Sequence, residues 1–185
     1  MSEGAAVNVG AIKMSVHNGT HADAPSHFEK DGNTIDQLPV EIFIGRALVI
    51  DLSRIFSVEA ETREISIADL EPCARDLTES PRLLLKTGRW RDSAIFPTRI
   101  PVHAQEVPAW LEARGVVLLG VDLPSVDAID SKDLSNHHAL AAAGIAIVES
   151  LDLAEIRAGQ YNFAALPLKI LGGDAGPVRA ILWRD

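Results

Sequence analysis

Val116-Val-Leu-Leu-Gly-Val121 contains no polar side chain and is bounded by Gly115 and Asp122. A short apolar run between turn residues is the pattern of a strand buried on both faces. Three further runs share it: Arg46 to Leu52, Arg82 to Lys86, and Ile145 to Glu149. Between them the spacing predicts helices over Ser66–Leu77, with Ser66 as N-cap, and over Glu106–Arg114, stopped by Gly115. Another helix is expected from a cap at Asp130 or Ser131 through Leu134, His137, His138 and Leu140 to Gly144, and a short one over Leu153–Arg157. Residues 89–102 are broken by Pro97 and Pro101. Alternation from Val7 to Val16 predicts an extended segment ahead of the Asn18-Gly19 turn, and two more strands are expected over Tyr161–Leu168 and Val178–Trp183. Strands buried on both faces need covering layers, so the class is α/β. The helices alternate too irregularly for a doubly wound or barrel arrangement, which leaves a mixed sheet, or two stacked sheets with helices outside.

The 185 residues are read as one domain, 1–185. With 17 basic against 26 acidic residues the formal net charge is −9, and no basic cluster offsets it, which argues against a nucleic-acid surface. No apolar run approaches the ~20 residues that span a bilayer. Residues 1–6 lack the basic and apolar regions of a signal peptide. The lone Cys73 has no intrachain partner, and a reducing, cytoplasmic setting is expected.

Three of the six histidines fall in His17-Asn-Gly-Thr-His21-Ala-Asp23-Ala-Pro-Ser-His27. His17, His21 and Asp23 are the side-chain types that bind a borderline-soft divalent metal, and three protein ligands leave coordination positions open for chemistry. The same spacing also suits a polar surface loop. His27 is a further ligand, a proton carrier or a surface residue. On the predicted later helix, Leu134, His137, Leu140 and Ala141 form an inward stripe, so His137 rather than His138 faces the interior. Glu149 falls on the apolar face of its strand with Ile145 and Ile147, where a carboxylate needs a cation, whether metal, Arg or Lys. Asp122 and Asp127 read as ordinary loop and turn carboxylates. The chain contains no G-x-S-x-G, Walker A or G-x-G-x-x-G sequence.

The segment His17-Asn-Gly-Thr-His21-Ala-Asp23-Ala-Pro25-Ser-His27 resembles the H-x-G-T-H-x-D-x-P-x-H signature of the metal-dependent cyclase superfamily. The likeness continues through Val121–Asp127, Ser131–Leu134, His137-His138, Ile147–Glu149, Ala165–Leu168 and Asp174–Ala180, and is greatest to the bacterial kynurenine formamidase (arylformamidase) branch. The resemblance implies a three-layer β/β/α fold like a swivelling domain, and a homodimer or homotetramer. It implies a two-metal site, usually zinc with manganese as an alternative, held by His17, His21, Asp23, His137 and Glu149. It implies His27 as the catalytic proton carrier. The implied reaction is hydrolysis of an aryl formamide, N-formyl-L-kynurenine, to L-kynurenine and formate in tryptophan breakdown. Isatin hydrolase-like action on another amide or cyclic substrate, or a non-catalytic relative, are the alternatives. The likeness starts near Val7, so the family's upstream aromatic segment is expected to be missing, and Gly176 stands where many formamidases carry Ser.

Overall fold

The computed structural model describes residues 7–56 and 63–184; residues 1–6, read above for a signal peptide, lie outside them. In chain order the elements are β1 (His21–Asp23), β2 (Ile44–Asp51), α1 (Ile67–Leu70), α2 (Ala74–Leu77), β3 (Arg82–Lys86) and α3 (Val107–Glu112). They continue with β4 (Leu118–Val121), α4 (Ser135–Ala142), β5 (Ala146–Glu149), β6 (Gly159–Ala164), β7 (Ala175–Pro177) and β8 (Ile181–Trp183). The eight strands hydrogen-bond in one mixed sheet ordered β7-β1-β5-β4-β3-β2-β6-β8. Its centre, β2 to β5, is parallel, and the flanking pairs are antiparallel.

The four apolar runs form the parallel centre because both of their faces are buried. Leu48, Leu83, Leu119 and Ile147 lie in register across β2, β3, β4 and β5. That row packs with Leu70, Leu77, Leu111 and Leu140 from the four helices. The adjacent row, Val49, Leu84, Gly120 and Val148, faces a second cluster with Phe43, Phe163 and Ile35. The sheet is therefore helix-covered on one side and loop-covered on the other, in agreement with the α/β class. Gly120 makes the second row fit: a Cβ there would lie 2.5 Å from Leu84 Cδ2 and 2.7 Å from Leu151 Cδ1. Gly120→Ala is expected to overpack this layer by about 1–3 kcal/mol. Thermal unfolding should fall by roughly 2–4 °C for each kcal/mol; an unchanged melting temperature would show that the layer yields.

Several boundaries differ from the sequence reading, each for a local reason. Residues 8–15 form no strand, and Val9 and Ile12 are almost fully exposed. Alternation needs a ladder partner, and both edges of the following strand β1 are taken by β5 and β7. The Ser66–Leu77 helix is split by a 3-10 turn at Glu71–Cys73, because Pro72 cannot continue the helical hydrogen bonds. Ser66 does begin it, its backbone N–H and hydroxyl both donating to Asp69 at 2.9 and 2.7 Å. Leu153–Arg157 is a turn rather than a helix: Lys86 Nζ takes the carbonyls of Ala154 and Ile156. The helix with His137 starts only at Ser135, since Leu134 adopts φ 46°, its N–H donated to Ser131 Oγ at 3.2 Å. The C-terminal strands shorten to β6 and β8, and the expected connection between them supplies β7.

Candidate metal centre

A strand of three residues carries the centre. In β1 successive side chains point to opposite faces, so His21 and Asp23 share one and Ala22 takes the other. His21 pairs in register with Glu149 of β5, which brings that carboxylate to the same face. The face is the helix-covered one, and α4 packs there through Leu140 and delivers His137. His17 reaches the group across the Asn18-Gly19 turn, for which Gly19 supplies φ +69°. His27 arrives from the opposite direction as the last residue of the 3-10 turn Pro25–His27.

All six residues singled out from the sequence meet. Asp23 is central and spans two sets. Its Oδ1 lies 3.1 Å from His17 Nδ1 and 3.3 Å from His21 Nε2. Its Oδ2 lies 3.5 Å from His137 Nε2. Glu149 spans the same gap, with Oε2 3.6 Å from His21 Nε2 and Oε1 3.4 Å from His137 Nε2. Two overlapping sets thus share Asp23, namely His17/His21/Asp23 and Asp23/His137/Glu149. His27 is in neither; it joins His17 and Asp174 in a third, more exposed set. His138, as expected, is turned outward.

The donors fit a divalent cation. Both Asp23 carboxylate oxygens and His21 Nε2 are buried without a hydrogen-bond partner. Leaving such groups unsatisfied costs about 1–3 kcal/mol each, and more for a charge. His21 Nδ1 lies 2.8 Å from the Gly19 carbonyl, which can only accept, so Nδ1 carries a proton and Nε2 is the ring nitrogen left facing the carboxylates. The charge balance agrees. Burial alone would raise Asp23, yet contacts with His137, His17 and His21 hold it well below the usual carboxylate range. Burial opposes a charged ring at His137, but Asp127, Asp23 and Glu149 outweigh it and raise the ring to about 11. Burial and the neighbouring Asp23 push Glu149 up. The cluster demands positive charge, which a cation among these donors would supply. His27 departs from the other rings: burial and the nearby His17 lower it.

Three carboxylates behave differently from the sequence reading. Asp122 is no simple loop residue; it is buried and accepts from the Thr87 hydroxyl at 2.6 Å and from the backbone N–H groups of Thr87 and Gly88. Asp127 is buried, accepts the backbone N–H groups of Asn136 and His137, and lies 2.6 Å from His137 Nδ1. Asp174, not singled out as a site residue, lies 3.1 Å from His17 Nε2 and 3.5 Å from His27 Nδ1. A carboxylate so far along the chain has no local spacing to betray it.

The mixed sheet and this His/carboxylate centre define an α/β protein built around a divalent-metal site. The chain belongs to the family described as "Putative cyclase", whose model matches residues 4–128. It is 43% identical over 181 residues to the kynurenine formamidase of Geobacillus thermodenitrificans, covering 98% of this chain and 82% of that one. It is 38% identical to that of Bacillus cereus strain ATCC 14579, covering 97% and 82%. Among solved structures it is similar to a potential metal-dependent hydrolase with cyclase activity, with a TM-score of 0.82 and 29% identity over 95% of this chain and 83% of that one. Isatin hydrolase A from Labrenzia aggregata superposes with a TM-score of 0.78 and 28% identity over 93% and 75%.

Proposed function

We propose that the protein is a metal-dependent amide hydrolase that converts N-formyl-L-kynurenine and water to L-kynurenine and formate. The observation that carries the reading is Asp23: a buried carboxylate, both oxygens without hydrogen bonds, set between two groups of metal-binding side chains. The formamidase relatives support the substrate. In this reading His17, His21 and Asp23 hold one ion, and Asp23, His137 and Glu149 the other, with zinc as the metal. A bound divalent ion lowers the pKa of water and polarises a carbonyl oxygen, the Lewis-acid chemistry that amide cleavage needs.

The chain's own residues supply the rest. Asp23 and Glu149 offer their charges toward both sets of imidazoles and so keep them a short, shared distance apart. His27 belongs to neither set and is partly exposed, so its ring is available to move protons. Breaking the formamide requires a proton on the departing aryl amine, because an anilide anion leaves poorly, and His27 delivers it. Phe28 lies against His137 and His138 with ring centroids 5.2 and 5.4 Å away, an apolar wall beside the centre.

The same reading extends to a role in tryptophan breakdown, a homodimer or homotetramer, and a cytoplasmic setting. Among the described residues no helix is long and apolar enough to cross a membrane. The likeness to isatin hydrolase makes opening of a cyclic amide the rival activity. Zinc-loaded protein assayed with N-formylkynurenine and with isatin separates the two. Turnover of the formamide by the larger kcat/KM is expected; turnover of isatin alone would move the assignment to the rival.

A further inference from the structure

The three imidazoles that face Asp23 and Glu149 have one feature in common: the nitrogen turned away from the carboxylates meets an acceptor. For His21 it is Nδ1, against the Gly19 carbonyl at 2.8 Å. For His137 it is Nδ1, against Asp127 Oδ2 at 2.6 Å. For His17 it is Nε2, against Asp174 Oδ2 at 3.1 Å. An acceptor on the outer nitrogen holds the proton there and leaves the inner lone pair for a cation, while fixing the plane of the ring. The inner nitrogen is therefore Nδ1 in His17 but Nε2 in His21 and His137.

The two carboxylates do this from different footings. Asp127 is anchored by the backbone N–H groups of Asn136 and His137, so the group that aligns the ring also starts α4. The preceding residue, Val126, donates its N–H to Glu149 Oε1 at 2.9 Å, so one loop sets both His137 and Glu149 in the set they share with Asp23. Asp174 is half exposed and lies within 3.5 Å of His27 Nδ1 through the same oxygen that meets His17. Its backbone carbonyl accepts the N–H of Ala24, which ties it to the segment between Asp23 and His27.

We propose that Asp127 and Asp174 are positioning residues, each fixing the tautomer and orientation of one metal-facing histidine, His137 and His17 respectively, and that Asp174 also orients His27. The inference rests on the metal-site reading given above. It adds that the two sets have separate outer supports, and that one support is shared with the proton carrier.

The test uses the full chain and zinc alone, with chelator competition for affinity and imidazole nitrogen NMR of the zinc-loaded protein. Wild type that binds no zinc would overturn the metal-site reading and this inference together. Where wild type binds, Asp174→Asn is expected to weaken one ion by about 10–100-fold and leave the other unchanged. At saturating zinc it should also retain a kcat roughly tenfold below wild type with KM unchanged, since His27 has lost its partner. Asp127→Asn should weaken the other ion by a similar factor and shift the His137 N–H signal alone. Because Asp127 also starts α4, Asp127→Glu provides the control: it keeps the charge, and partial recovery of affinity is expected. Zinc affinity and kcat at wild-type values in Asp174→Asn, or equal weakening of both ions in each variant, would refute separate positioning roles.

Discussion

His27→Ala is expected to lower kcat for N-formylkynurenine by about 10²–10⁴-fold while the protein keeps its full complement of metal. The argument is geometric. His27 shares no set with Asp23 or Glu149, and its polar contact in the centre is with Asp174, at 3.5 Å. Its ring lies 4.0 Å from that of His17 and 6.0 Å from that of His137, near enough to the reacting volume to serve a proton there. Its side chain is 31% exposed, at the rim of the buried layers rather than within them. Elemental analysis alongside the assay decides the matter: joint loss of metal and activity would place His27 among the ligands instead.

Asp23→Asn is expected to empty both ion sites and abolish activity, a larger effect than any other single ligand change. One oxygen of Asp23 faces His17 and His21 and the other faces His137, so the same substitution withdraws charge from both sets. The amide is nearly isosteric, and β1 keeps its ladder to β5 and β7, which separates loss of metal from loss of fold. Glu149→Gln provides the comparison. Its Oε1 is already engaged by the Val126 N–H, and the His17/His21/Asp23 set stays intact, so a partial loss of metal is expected. Full metal content in Asp23→Asn would remove the shared-carboxylate arrangement altogether.

The parts of the fold that were legible in the sequence are those in which local pattern and burial coincide. The four apolar runs became β2 to β5 because both of their faces really are covered, and His137 faces inward with Leu140, one turn further along α4, while Leu134 of the expected stripe lies ahead of the helix. The Val7–Val16 alternation misled, since period-two patterning describes a face and cannot say whether a neighbouring strand has a free edge. Leu153–Arg157 misled for a related reason: the lysine that takes its carbonyls, Lys86, is remote in sequence. In the site, the ligand-type residues were visible as chemistry out of place, such as Glu149 on an apolar strand face. Asp127 and Asp174 were not, because a carboxylate in a loop is ordinary until the fold sets an imidazole beside it.

The position of β1 has a consequence for the chain as a whole. It is three residues long, yet it joins β5 on one side to β7 on the other, and His17 meets Asp174 across 157 positions of sequence. Closing so long a loop is costly in entropy before any contact compensates it. An ion held by residues 17–23 together with His137 and Glu149 would act as a clasp on that loop, its binding free energy accruing only to chains in which the loop has closed. On the proposed reading, the coordination that would prepare the chemistry would thereby also reward the completed chain register.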